Sequence, residues 1–254
     1  MLKKVANIIR GLSVDAIEKA NSGHPGLPLG CAEIGAVLFG EALKYDPKEA
    51  GWPDRDRFIL SAGHGSALLY SLLYLSGYDL TLEDIKNFRQ LKSRTPGHPE
   101  YGITPGVETT SGPLGQGLAN GVGMAMAEKM LSSKFNTNEF KIVDHYTYVL
   151  ASDGCMMEGI TSEAASLAGH LGLGKLIVIY DKNCISLACG TEATFTESVA
   201  ERYRAYNWQV IENIDGHNID EVRMAMMKAK EKEEKPVLII ANTHIGFGAP
   251  TKQD

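Results

Sequence analysis

The residues whose types could do chemistry together fall first at Ser152-Asp153-Gly154 and at Asp181-Lys182-Asn183-Cys184-Ile185, each closing an apolar run. A carboxylate, an amide oxygen and a backbone carbonyl are hard oxygen donors suited to Mg²⁺ or Ca²⁺, and Mg²⁺ commonly completes its shell with phosphate oxygens and water. Gly154 would let a phosphate approach the backbone, and a helix opening near Glu158 would offer N–H donors beside it. Taken singly, Asp-Gly is more often a plain turn and asparagine more often a helix cap. Their placement at the ends of two successive strands is what points to a shared site.

A second set is histidine. His24 sits in Ser-Gly-His-Pro-Gly, His64 in Ala-Gly-His-Gly and His98 in Pro-Gly-His-Pro. Each lies in an expected loop or at a helix start, where an imidazole can face a cleft and exchange protons near neutral pH. A lone loop histidine is usually surface decoration, but three in one setting argue for a joint role. The spacing matches no zinc motif such as His-Glu-x-x-His. His145, His170, His217 and His244 are read as structural. A third signal, Ser111-Gly112-Pro113-Leu114-Gly115-Gln116-Gly117, is a glycine-rich turn before a helix rich in small residues. It has no Gly-Lys-Ser/Thr and does not follow a strand as Gly-x-Gly-x-x-Gly, so nucleotide hydrolysis and hydride transfer lose support.

The elements that must position these groups read as an α/β chain. Leu2, Val5, Ile8, Ile9, Leu12 and Ile17 recur at helical spacing, a second helix is expected over 31–43, and a Gly/Pro-rich turn over 22–28 separates the two. A short apolar run, Phe58-Ile59-Leu60, precedes a helix near His64, and Thr81 with Asp84 predicts a capping box. The stretch 93–113 has little periodicity and is expected to be a long ordered loop, of a kind that is often functional. Helices over 114–131, 158–171, 197–206 and 219–233 then alternate with strands over 146–151, 176–180, 209–211 and 237–242. Such alternation predicts a mostly parallel sheet in a three-layer α/β/α arrangement, whose strand ends place Asp153 and Asn183 on one edge.

Composition narrows the field. With 254 residues, 44% of them hydrophobic, one domain can bury a full core. Lys and Arg total 25 against 31 Asp and Glu, a net charge of −6 that gives no broad basic field for nucleic acid or an anionic membrane. No apolar run approaches the ~20 residues of a membrane span. The N-terminal stretch carries Asn7, Arg10, Asp15 and Glu18 rather than a signal-peptide core, so a cytoplasmic setting is expected. Cys31, Cys155, Cys184 and Cys189 form no Cys-x-x-Cys pair and are read as free thiols.

On 22–26, 93–100, 112–117, Asp153-Gly154 and Asn183, met in order along the whole chain, the sequence resembles transketolase. The resemblance implies a single thiamine diphosphate-binding domain over 1–254, the module that holds the cofactor's diphosphate. Asp153, Asn183 and the carbonyl of Ile185 would then bind the metal, Mg²⁺ with Ca²⁺ or Mn²⁺ as alternatives. His64, Gly112, Leu114, Gly154, Asn183 and Ile245 would contact the cofactor, and His24 and His98 would orient donor hydroxyls and assist proton transfers. Glu158 would face a subunit boundary. The activity implied is transfer of a two-carbon ketol group from a ketose phosphate to an aldose phosphate, as in the pentose phosphate pathway. In the family a glutamate from a separate pyrimidine-binding domain activates the cofactor. The resemblance therefore implies a partner chain or further domain, as a split subunit or a section of a longer enzyme, in a homo- or hetero-oligomer.

The sequence departs from the family pattern at Ser152, commonly glycine, and at Ala62, often asparagine, and it ends at Asp254 before a further His-Gly segment that the family usually carries. Related readings are dihydroxyacetone synthase, a split transketolase for branched sugar phosphates, and 1-deoxyxylulose-5-phosphate synthase, which fits the Gly-His-Pro pairs poorly. A non-catalytic, transketolase-like cofactor-binding protein is the alternative of a different class.

Overall fold

The computed structural model describes residues 1–186 and 189–254. The chain opens with α1 (Leu2–Ala20), α2 (Gly26–Gly30) and α3 (Ala32–Val37), then runs through β1 (Arg57–Leu60), α4 (Ser66–Leu75) and α5 (Leu82–Lys86). A long stretch of turns and bends leads to α6 (Gln116–Phe135), followed by β2 (Thr147–Ser152), α7 (Asp153–Met157), α8 (Gly159–Leu171) and β3 (Leu176–Lys182). A small antiparallel pair, β4 (Ile185–Ser186) and β5 (Cys189–Gly190), comes next. The last elements are α9 (Val199–Ala205), β6 (Gln209–Asp215), α10 (Ile219–Ala229) and β7 (Val237–Asn242).

The main sheet is parallel throughout, in the order β1-β2-β3-β7-β6. Every residue of β2 is buried, as a strand covered on both faces requires, and Tyr148 and Val149 show how the two sides are filled. Val149 faces α6, where Gly121 leaves no room for a Cβ, whereas Lys230 at the end of α10 lies over the Tyr148 ring. On the same side as α6, the α9 region is tied to α8 by Trp208 Nε1 donating to Ala165 O at 2.8 Å and to α7 by the Tyr203 hydroxyl against Met156 Sδ. On the other side α3 packs with α10, and α1 and α4 pack with α3. The chain moves inward from the edge strand β1 to the central β3, jumps to the other edge strand β6 and returns to β7. Strand order thus reverses between β3 and β7, the place where open parallel sheets leave a crevice at their carboxyl ends.

The expected elements match the observed ones closely from β2 onward, and the capping box at Thr81 and Asp84 forms. Three local differences matter. The helix expected over 31–43 is α3 followed by a π-helical turn, Leu38–Ala42, closed by Leu43 N donating to Leu38 O at 2.9 Å. The turn expected over 22–28 ends in the one-turn helix α2, which accepts Pro28 because the first turn needs no N–H from it. Asp153-Gly154 is not a free turn before a helix at Glu158: it starts the separate one-turn helix α7, with the Asp153 carboxylate at the favourable N-terminal end.

Candidate active site

The ends of β2 and β3 bring the first group together. The Asp153 carboxylate is 2% exposed and accepts hydrogen bonds from the Tyr180 hydroxyl at 2.5 Å and from the backbone N–H groups of Asn183 and Cys184, both at 3.0 Å. Burial raises its pKa above the usual aspartate value, against the opposing pull of those three donors. Asn183 donates through Nδ2 to Asp181 at 3.1 Å and accepts at Oδ1 from Ile185 N–H at 3.0 Å. Asp181, also buried, accepts from the Thr243 hydroxyl across the β3/β7 junction; burial raises its carboxyl to about 6. The half-buried Asn183 and Ile185 line an open cleft of about 750 Å³ at the strand-order reversal, together with His217, Thr243, His244 and Phe247.

This donor set fits a hard divalent cation. A carboxylate offers about four acceptor sites and an amide oxygen two. Asp153 uses three of its sites within the chain and Asn183 Oδ1 uses one, so each keeps capacity for a cation. Among the described residues no cluster of three His, Cys, Asp or Glu side chains offers a competing site. Ser152 is accommodated without strain on this arrangement: it is buried, with its hydroxyl 3.7 Å from Cys155 Sγ.

The histidines converge as well. His64 lies in the 3₁₀ turn Gly63–Gly65 just past β1, and its ring is 5.4 Å from that of His24, centroid to centroid. The segment carrying His98 is pinned to α4 by Ser66 Oγ donating to Gly97 O at 2.8 Å and by the Tyr70 hydroxyl donating to Pro96 O at 2.8 Å. Gly63 and Gly112 approach backbone to backbone, since a Cβ on Gly63 would lie 2.7 Å from Gly112 N, and Gly112 lies against the His98 ring. Burial lowers the His64 pKa to about 4, with the neighbouring His24 and His98 adding to the effect. His24 and His98 are lowered by burial and then by the Arg89 cation, with His98 adding to the effect on His24. In all three the surroundings favour the neutral imidazole.

Leu114 joins the two groups, because its Cδ1 occupies the space that a Cβ on Gly154 would need, at 2.8 Å. A line of contacts thus runs from His98 through Gly112 and Leu114 to Gly154 and Asp153. Ile245, next to the cleft-lining His244, packs against Gly26, and the loop that carries it is bonded to the α2 region by Gly246 N donating to Gly26 O at 3.0 Å. Glu158 stands apart from these groups; it is exposed at the N-cap of α8, against the Gly115 turn.

Sequence reasoning missed Tyr180, Asp181 and Thr243, which hold the Asp153–Asn183 loop from behind. Tyr180 closes one run that reads simply as apolar, Thr243 directly follows another, and Asp181, though part of the Asp181–Ile185 motif, carries no role of its own in the sequence reading. It also set aside His217 and His244, which line the cleft. The signal for His217 was present, since Asp215-Gly216-His217 repeats the Gly-His pairing of the other three.

A parallel sheet that reverses its strand order beside an acidic loop and a neutral histidine cluster belongs with the α/β proteins that bind ligands at the carboxyl ends of their strands. Residues 1–254 match the family described as "Transketolase, thiamine diphosphate binding domain", and the chain belongs to that family. It is 60% identical over 250 residues to Transketolase 2 of Escherichia coli (strain K12), covering 98% of this chain and 38% of that protein. It is 58% identical over 250 residues to the transketolase of Buchnera aphidicola subsp. Acyrthosiphon pisum (strain APS), again covering 98% and 38%. The solved transketolase from Leishmania mexicana superposes with a TM-score of 0.98 at 52% identity, over 100% of this chain and 38% of that one. The chain therefore spans well under half the length of the curated relatives that it matches.

Proposed function

We propose that the chain is the cofactor-holding section of a transketolase, acting in the transfer of a two-carbon ketol unit from a ketose phosphate to an aldose phosphate. The observation that carries this reading is the Leu114–Gly154 contact, which joins the oxygen-donor loop and the histidine cluster into one surface. When bound, thiamine diphosphate supplies the nucleophilic carbon and the electron sink that the transfer needs. Asp153, Asn183 Oδ1 and the Ile185 carbonyl hold the divalent cation, Mg²⁺ first and Ca²⁺ or Mn²⁺ as substitutes, and so neutralise the diphosphate. Gly154, Gly112, Leu114, His64, Asn183 and Ile245 surround the cofactor. His24 and His98, kept neutral, orient the sugar hydroxyls and take or return their protons.

The remaining machinery, including the pyrimidine-binding portion, comes from further residues of the same protein or from a second polypeptide, with Glu158 facing that boundary. We place the assembly in the cytoplasm; among the described residues no helix is long and apolar enough to cross a membrane. Isothermal titration of thiamine diphosphate into the chain tests the reading. Binding that requires Mg²⁺ and tightens when the pyrimidine-binding portion is added supports it, and the absence of binding with metal and partner both present contradicts it.

A further inference from the structure

Behind the cleft, outside the residues assigned to cofactor or substrate, lies a buried polar chain that ends on the loop carrying Ile245. Arg10 reaches from α1 to Glu33 on α3, pairing Nη2 with Oε2 at 2.5 Å, while its Nε donates to Leu29 O at 3.0 Å. Both side chains are largely enclosed, at 12% and 6% exposure. Glu33 Oε2 also faces His217 Nδ1 at 3.7 Å, too long for a direct hydrogen bond but close enough for charge to matter. That Nδ1 is buried and has no hydrogen-bond partner among the described residues. On its other side His217 Nε2 receives the backbone N–H of His244 at 2.9 Å.

The donor identity fixes the tautomer. A backbone N–H can only donate, so Nε2 is the unprotonated nitrogen and the ring proton sits on Nδ1, facing the Glu33 carboxylate. Burial pushes the Glu33 carboxyl up, but His217 and Arg10 together outweigh it, so the group is held below the usual glutamate range and carries its charge. The ring itself is clamped flat, stacked on Phe247 at 3.7 Å between centroids and on His244 at 5.7 Å. His217 is placed by the turn between β6 and α10, where Asn218 caps the helix by accepting from Asp220 and Glu221 N–H, and Glu221 accepts from Asp215 N–H at 2.9 Å.

We infer that Glu33 and His217 are positioning residues: the Glu33 charge favours the Nδ1–H tautomer that the His244 N–H requires, and His217 holds the backbone at His244 so that Ile245 and Gly246 keep their place against Gly26 beside the cleft. This rests on the reading of that cleft as the cofactor's. The chain of contacts is directional, from a fixed cation on α1 to one backbone N–H on the loop, and the Arg10, Glu33 and His217 side chains are largely enclosed, at 12%, 6% and 9% exposure. A structural histidine placed only to fill space would show the stacking without the oriented acceptor.

The test compares His217→Phe, which keeps the flat ring on Phe247 and removes the acceptor, with His217→Gln, whose side-chain oxygen can accept the same N–H. Glu33→Gln removes the charge that favours this tautomer and serves as the second variant if His217→Phe fails to fold. Amide hydrogen exchange at His244 and Gly246 is read beside that of the β2 and β7 core amides, and thiamine diphosphate affinity with Mg²⁺ is measured on the same samples. In His217→Phe, exchange at His244 should quicken by about tenfold or more while the core amides are unchanged, with cofactor affinity weakened by a similar factor. His217→Gln should recover most of both, and Glu33→Gln should fall between. Unchanged exchange at His244 in His217→Phe, or in Glu33→Gln where the first does not fold, overturns the inference. Lost protection with unchanged affinity overturns the link to the cofactor. If the unmodified chain binds no thiamine diphosphate, the functional reading fails, and the exchange comparison still decides whether the clamp exists.

Discussion

The two groups at the carboxyl edge of the sheet are built in opposite ways. The Asp153–Asn183 loop is built on two buried carboxylates: Asp153 takes a hydroxyl and two backbone N–H groups, and Asp181 braces Asn183 from behind. The histidines instead stand on loops, with His24 and His98 exposed, and they affect one another through ring proximity and charge. The first arrangement is rigid and suits holding a fixed charge. The second keeps imidazoles neutral and accessible, which suits groups that must exchange protons with something that comes and goes. On the proposed function, binding and proton handling would rest on different local physics on one surface.

The largest effect expected from breaking this contrast is at Asp153. Asp153→Asn keeps an acceptor oxygen but removes the charge, and metal-dependent thiamine diphosphate affinity should fall on the order of 100-fold with little change in melting temperature. Asp153→Ala should do more than that. It strands the Tyr180 hydroxyl and two N–H groups, each worth about 1–3 kcal/mol when left unpaired, so calorimetry should show a loss of several kcal/mol as well. An Ala variant as stable as the Asn variant would mean that the loop does not depend on Asp153 for its shape.

On the histidine side, His98→Ala should leave cofactor affinity within about twofold yet slow turnover of the complete enzyme on the order of 100-fold, the usual contribution of a positioned acid or base. Normal turnover would remove His98 from the mechanism. The pH dependence of stability follows from the lowered histidines. His64 and the buried His145 both titrate at about 4 in the folded chain, below the 6.5 of an unperturbed imidazole, burial being the main cause in each. The unfolded chain therefore binds protons that the folded chain refuses, and stability present above pH 6.5 is lost as the pH falls toward 4. A drop in melting temperature on the order of 5 °C between pH 7 and pH 5 is expected, and His145→Gln should remove part of it. A flat profile would contradict the burial assigned to these rings.

The smallest effect tests strain beside the oxygen-donor loop. Cys184 lies between two of the expected metal donors with φ of 61°, a left-handed conformation that costs a non-glycine residue about 1–2 kcal/mol. Part of the gain from Cys184→Gly is offset by the greater freedom of glycine in the unfolded chain. A rise of about 2 °C in melting temperature with unchanged cofactor affinity is expected, and a fall would show that the thiol side chain stabilises the loop.

Much of this architecture was legible because periodicity reports burial. The run 237–242 reads as a strand with the bounds that β7 has, and the parallel sheet follows from the alternation around it. The pairing of Asp153 with Asn183 was legible for the same reason, since successive parallel strands end on one edge. What was not legible depends on contacts between distant segments. Nothing local shows that Thr243 reaches Asp181, that Leu114 fills the space over Gly154, or that Arg10 and Glu33 back His217. The π-helical turn at Leu38–Ala42 was hidden because its residues keep helical apolar spacing while the hydrogen bonding widens.

The central claim is that the two groups form one cofactor surface, and the most direct measurement is a thiamine diphosphate and Mg²⁺ titration followed by NMR. The imidazole signals of His24, His64 and His98 would be followed together with the backbone amides of Asn183 and Ile185. The account predicts that both sets shift along one binding curve with a single Kd and that both remain still without metal. Movement of one set alone, or of the two with different affinities, would contradict it.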